Sequence, residues 1–142
     1  MTSRTKAQLA SQLRVSVARL ARRLRQEGSQ EDATPSQLTT LATLYRHGPL
    51  TLGELAETER VKPPSMTKIV AALVERGLVS REHSKDDARV VHVDTTPKGR
   101  AAHEEYRKRR EAWLNRQLAE LSAEDRELLS KATDILDRLG EG

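Results

Sequence analysis

Between Thr51 and Gly99 the spacing of apolar residues changes twice, and this restricts the fold more than any other feature of the 142-residue chain. Thr51-Leu52-Gly53-Glu54 has the form of a capping box and opens a short helix with Leu52, Leu55 and Ala56 inward, ending near Glu59. Pro63 and Pro64 begin a second helix, because proline is tolerated in a first turn and not in a helix interior. Met66, Ile69, Val70, Leu73 and Val74 then form one buried stripe at helical spacing, and Gly77 ends it. The period next falls to two. Leu78 to His83 and Arg89 to Thr95 read as strands, with Val91 and Val93 inward and Val90 and His92 on the other face. The polar segment Ser84-Lys85-Asp86-Asp87-Ala88 between them reads as a hairpin tip. The predicted order is helix, helix, two-stranded wing, helix.

The flanking segments are helical. Leu9, Leu13, Val17, Leu20 and Leu24 recur every three or four residues between Ala7 and about Glu27, and Gly28 closes this helix before a polar connection to Ala33. Thr34-Pro35-Ser36-Gln37 opens another as a capping box, with Leu38, Leu41, Leu44 and Tyr45 apolar, ending at His47-Gly48-Pro49. Thr96-Pro97 starts a long helix to about Leu121 with Ala102, Tyr106, Trp113, Leu114 and Leu118 as its apolar members. Ser122 to Asp125 reads as a third capping box, before Leu128, Leu129, Ala132, Ile135, Leu136 and Leu139.

Composition narrows the chemistry. Aromatics are 2% of the chain and Phe is absent, so the core rests on Leu, Val, Ile and Ala, which favours helices over sheets. With no cysteine, disulfides, zinc-thiolate sites and thiol redox sensing are excluded. The longest apolar run, Ile69 to Val74, is far short of a membrane span, and the N-terminal stretch lacks the apolar block expected of a secretory signal. A soluble, cytoplasmic protein without a membrane partner is expected. No nucleophile, phosphate-binding glycine loop or catalytic triad stands in a motif context, so no enzyme is predicted, and no cofactor. His47, His83, His92 and His103 lack helical ligand spacing, so no metal site is expected.

Net charge is +4, and its distribution is more informative. Residues 1 to 30 carry +6 and residues 61 to 100 carry +3, so basicity sits in the first helix and around the wing. Either basic face also reads as a merely solvated one, as does Arg107-Lys108-Arg109-Arg110. The arginines at 14, 19, 22, 23 and 25 equally suit an anionic effector.

Packing the Pro63 helix by its stripe leaves Pro64, Ser65, Lys68, Ala71, Ala72 and Glu75 outward. This face is small, polar and basic near its N-terminal end, where recognition helices meet base edges in the major groove. Lys62 and Thr67 suit phosphates at a helix start that attracts anions. At the hairpin tip Asp87 can hold the Arg89 guanidinium at a fixed angle, and Arg on a narrow tip suits an A·T-rich minor groove. Arg81 and Lys85 can add backbone contacts. An ordinary surface helix and a solvated turn remain the plain alternatives for these residues taken singly.

Taken together, Leu52-Gly53-Glu54-Leu55-Ala56, Pro64-Ser65-Met66-Thr67-Lys68-Ile69-Val70, Leu73-Val74-Glu75-Arg76-Gly77-Leu78-Val79, Asp87-Ala88-Arg89 and Thr96-Pro97-Lys98-Gly99 resemble the MarR family of winged helix-turn-helix repressors. The resemblance implies a mainly α fold with a small antiparallel β-wing and a helical dimerisation region formed by both termini. It implies a homodimer on double-stranded DNA, a recognition helix from Pro63, and a wing whose Arg89 enters the minor groove with Asp87 orienting it. Residues 1–33 and 100–142 would then be the dimerising segments and 34–99 the DNA-binding lobe. Relatives often take small anionic or phenolic effectors, and some sense metal. The sequence departs from the family pattern at Thr95, where Leu is usual, and at Ala88, where a second Arg is common. A dimer is also expected because the terminal stripes exceed what a thin monomer core absorbs, although a monomeric bundle, or a non-DNA helical module binding an acidic protein, fits the same pattern.

Overall fold

The computed structural model describes residues 3–29 and 33–141. Of the expected connection from Gly28 to Ala33, residues 30–32 lie outside the described residues and Gly28 belongs to the first helix. The elements run α1 (Lys6–Gly28), α2 (Pro35–His47), β1 (Leu50–Thr51), α3 (Leu52–Glu59), α4 (Pro63–Glu75), β2 (Val79–His83), β3 (Val91–Thr95), α5 (Pro97–Ala119) and α6 (Ala123–Gly140). They group into two compact units, residues 28–108 and residues 1–27 with 109–142.

The first unit, hereafter the lobe, has a closed core. Leu44, Leu55, Met66, Val70, Leu73 and Val93 are sealed from solvent, and Leu41, Ala56, Leu78 and Val79 complete the cluster. Each fully buried Leu or Val contributes about 1.5–3 kcal/mol over its exposed state, so this cluster supplies the lobe's folding drive. The α4 stripe predicted from spacing is the middle of it: Met66, Val70 and Leu73 are buried, and Ile69 and Val74 pack at its margin.

The sheet corrects the two-stranded expectation. Its order is β1-β3-β2, antiparallel throughout, with Leu50 opposite Val93 and Thr51 opposite His92 on one side of β3. On the other side Val79 faces Thr95, Arg81 faces Val93 and His83 faces Val91. Both hairpin strands are shorter than predicted, and the tip runs from Ser84 to Val90, closed by the Ser84 N–H donating to the Val90 carbonyl at 2.8 Å. Arg89 therefore sits in the tip and not in a strand.

Helix caps explain where each element begins. At α3 both arms of the box form: Thr51 Oγ1 accepts from the Glu54 N–H at 3.1 Å, and Glu54 Oε1 from the Thr51 N–H at 3.0 Å. These bonds hold the Glu54 carboxyl below its ordinary pKa. At α2 only the forward bond forms, from the Gln37 N–H to Thr34 Oγ1, while Gln37 Oε1 is buried without a hydrogen-bond partner among the described residues. At α6 the Asp125 N–H bonds Ser122 Oγ, and the box is again single; aspartate is one methylene shorter than the glutamate that reaches back. A box not anticipated from the sequence starts α1, where Thr5 and Gln8 bond reciprocally at 2.9 and 3.1 Å.

The second unit holds α1, the later half of α5, and α6. Of these, α1 and α6 are amphipathic, yet α6 buries no residue, and Leu9 (50% exposed), Leu128 (60%) and Leu139 (64%) stand open with Val17, Leu20 and Ile135. Within it the Arg23 guanidinium lies 5.4 Å from the centre of the Trp113 ring and pairs with Glu27 at 2.8 Å.

Candidate nucleic-acid interface

The turn between α3 and α4 fixes how the second helix is presented. α3 ends at Arg60 in the left-handed region (φ 54°), with the Val61 N–H returning to the Ala56 carbonyl at 2.9 Å. Beneath it, fully buried Thr40 of α2 donates to Glu59 Oε1 at 2.7 Å. Burial pushes the Glu59 carboxyl up despite that bond, and its second oxygen has no partner among the described residues.

α4 starts at Lys62, which makes no side-chain capping bond. Pro63 and Pro64 carry no N–H, so the amides left without a side-chain cap are those of Lys62 and Ser65. Pro64, Ser65, Lys68, Ala71 and Glu75 are exposed and Ala72 is half-buried, which is the outer face the spacing predicts. Thr67 is also exposed, but its hydroxyl donates to the Pro63 carbonyl at 3.0 Å. As placed, it has no proton to offer a phosphate, whereas Lys62 and the Ser65 amide do.

In the wing, Asp87 holds Arg89 three ways. Its Oδ1 accepts from the Arg89 backbone N–H at 3.0 Å and from Nε at 3.1 Å, and its Oδ2 accepts from Nη2 at 3.1 Å. This fork leaves the arginine side chain 91% exposed while fixing its direction, and it keeps the Asp87 carboxyl below the usual carboxylate range. The loop is braced from behind by His83 Nδ1 against the Ala88 carbonyl at 2.8 Å and by the Asp86 N–H on Ser84 Oγ at 3.2 Å. Arg81 and Lys85 are exposed on the same hairpin. The lobe thus presents two features of matching chemistry, a small-faced basic helix and a pre-oriented guanidinium on a projecting turn. Chemically, such a helix face can offer hydrogen bonds to base edges, and such a guanidinium suits a narrow electronegative groove.

The histidines do not gather: among the described residues no group of three His, Asp or Glu side chains is placed to hold a metal ion. His103 is buried and stacks on Tyr45 with ring centres 4.4 Å apart. Tyr45 in turn donates to Glu104 at 2.8 Å, which pushes its phenol up. Sequence spacing gives no sign of this α2–α5 contact, because its partners lie 59 residues apart.

Comparison with known proteins agrees with this geometry. The MarR family model matches residues 33–91. An uncharacterised helix-turn-helix transcriptional regulator of Mycobacterium leprae is 41% identical over 130 residues, covering 92% of this chain and 91% of its own. The transcriptional repressor MdtR of Bacillus subtilis is 33% identical over 83% of this chain and 79% of its own. A crystal structure of a putative transcriptional regulator from Pseudomonas aeruginosa superposes with a TM-score of 0.86 at 33% identity, covering 99% of each chain. With α3, α4 and the β2–β3 hairpin arranged as helix, recognition-type helix and wing, the chain belongs to the MarR family and is a winged helix-turn-helix transcriptional regulator.

Proposed function

We propose that the protein is a homodimeric repressor that binds a pseudo-palindromic operator in double-stranded DNA and is released by a small anionic or phenolic effector. Ser65 and Lys68 address base edges in the major groove, next to the small face given by Pro64, Ala71 and Ala72. Lys62 and the Ser65 amide hold a phosphate, and Thr67 joins them only if its hydroxyl turns away from Pro63. Arg89 enters the minor groove at the angle set by Asp87, with Arg81 and Lys85 on the flanking backbone.

The observation that carries this reading is the Asp87–Arg89 fork. An exposed arginine ordinarily samples many rotamers, and holding one direction reduces the entropy lost when it enters a narrow groove. The open Leu faces of α1 and α6 support the homodimer, since a twofold partner buries them and pairs two copies of α4 on successive turns of the duplex. The likeness to MdtR, named a repressor, supports repression.

The test is binding of the protein to DNA upstream of its own gene across a salt series. A linear fall of log affinity with log salt is expected, together with a loss of about 1–3 kcal/mol for Lys68→Ala confined to particular base pairs. Undiminished specific binding in the Lys68→Ala, Arg89→Ala double variant overturns the groove assignment. A thermal-shift series with phenolic carboxylates tests the effector, and no stabilisation by any of them removes that part.

A further inference from the structure

The far end of α4 is bonded to the first turn of α5 by several hydrogen bonds, and Thr96-Pro97-Lys98-Gly99 is the segment that makes them. α4 finishes in a Schellman motif: the Gly77 N–H returns to the Val74 carbonyl at 2.9 Å and the Leu78 N–H to the Leu73 carbonyl at 3.0 Å, with Gly77 at φ +74°. Three carbonyls then point outward in succession, those of Arg76, Gly77 and Leu78, and the start of α5 takes all three. Lys98 Nζ donates to Arg76 O at 3.0 Å, Thr96 Oγ1 to Gly77 O at 2.6 Å, and the Thr96 N–H to Leu78 O at 3.1 Å. Thr96 Oγ1 also accepts from the Gly99 N–H at 3.0 Å, so one hydroxyl caps α5 and ties it to α4. Gly99 lets the two come this close: a Cβ there would stand 1.9 Å from Leu78 O and 2.8 Å from Leu78 C, so only hydrogen fits.

A cap needs only the Thr96 hydroxyl and the Gly99 amide. The lysine bond and the glycine contact add nothing to the start of α5; their effect is to fix its direction against α4. From this joint α5 runs unbroken to Ala119, with no proline or glycine after Gly99, into the unit that carries the open apolar faces. We infer that Thr96, Lys98 and Gly99 are positioning residues that set the heading of α4 against α5, and thereby which separation of operator half-sites the protein accepts. They touch no base, so they govern spacing and leave the identity of the bases read unchanged. The spacing half of this inference rests on the proposed dimeric DNA reading; the rigid joint does not.

Both halves are tested with the whole 142-residue chain and its Thr96→Val, Lys98→Met double variant, which removes three hydrogen bonds, two of them to α4 and one the α5 cap, and keeps side-chain volume. The absence of native cysteine allows spin labels at Ala71→Cys on α4 and Lys108→Cys on α5, both exposed. A narrow distance distribution in the parent and one about twice as broad in the double variant are expected; equal widths in folded protein overturn the joint. Duplexes selected from random sequence by the parent are then rebuilt with one base pair added to or removed from the spacer, a displacement of about 3.4 Å per pair. The parent should lose about tenfold or more in affinity and the double variant about threefold or less, with the same base preferences in each half-site. An unchanged spacing penalty beside a broadened distance overturns the spacing role. If the parent selects no duplex at all, the DNA reading fails and the distance measurement alone decides the joint. Gly99→Ala is the severe form, expected to exceed the double variant in both readouts.

Discussion

The lobe and the terminal helices use their apolar residues in opposite ways. Within residues 28–108 each buried side chain meets others from different elements, so Leu44, Leu55, Met66 and Val93 are sealed by one chain alone. α1 and α6 are at least as clearly striped, yet α6 buries nothing and α1 buries only Gly28. Among the described residues the lobe's apolar stripes are covered by the chain itself, whereas those of α1 and α6 stand open. The lobe's stability should be a property of the chain, and that of the termini a property of concentration.

Five measurements break or sharpen that contrast. Leu136→Asp with Leu139→Asp should weaken self-association by more than about a thousandfold, given roughly 1.5–3 kcal/mol for each Leu removed from a buried face, and sedimentation reads it directly. An unchanged sedimentation profile would mean those faces are not where copies meet. Leu44→Ala should lower lobe stability by about 2–5 kcal/mol, with a shift in unfolding midpoint that is the same at every protein concentration. Arg89→Ala should cost DNA affinity about 1–3 kcal/mol and leave the unfolding midpoint nearly in place, since that side chain is 91% exposed and its pairing with Asp87 is a surface one; a joint loss of both would make it structural.

Thr51→Ala removes the complete box at the start of α3 and should cost about 0.5–2 kcal/mol by denaturant titration, again independent of concentration. The smallest effect is a pH dependence at Glu59. Its folded-state pKa lies above the ordinary 4.5, so its contribution is fully present below that pH and is lost as pH rises through the folded value. Glu59→Gln keeps an acceptor for Thr40 and cannot ionise, so its stability relative to the parent should climb from pH 4.5 towards neutrality. A flat difference would mean that the carboxylate is not held in a costly site.

Much of the lobe is legible in the sequence because its information is local. The α4 stripe, the Pro63 start, the Thr51 box and the Gly77 stop each follow from residues within four positions of one another, and the outward face of Ser65 and Lys68 follows from the stripe. The Asp87–Arg89 pair is legible for the same reason, being two residues apart. What escapes is non-local or too short to have a period. β1 is two residues long, and only its pairing with β3 makes it a strand. Nothing local marks His103 as buried, because the ring beside it, Tyr45, comes from α2. Thr96 and Lys98 find carbonyls 19 and 22 residues upstream, a distance that no capping pattern encodes. Thr67 shows the reverse: a hydroxyl that reads as a phosphate donor is taken by its own helix.

The placement of the aromatic residues has an optical consequence. The chain's one tryptophan, Trp113, belongs to the terminal unit and lies beside a guanidinium, while both tyrosines, Tyr45 and Tyr106, belong to the lobe. Light at the red edge of indole absorption therefore excites the terminal helices alone, and the remaining ultraviolet signal of tyrosine comes only from the lobe. The protein can report separately on its two halves in a single cuvette, without a label.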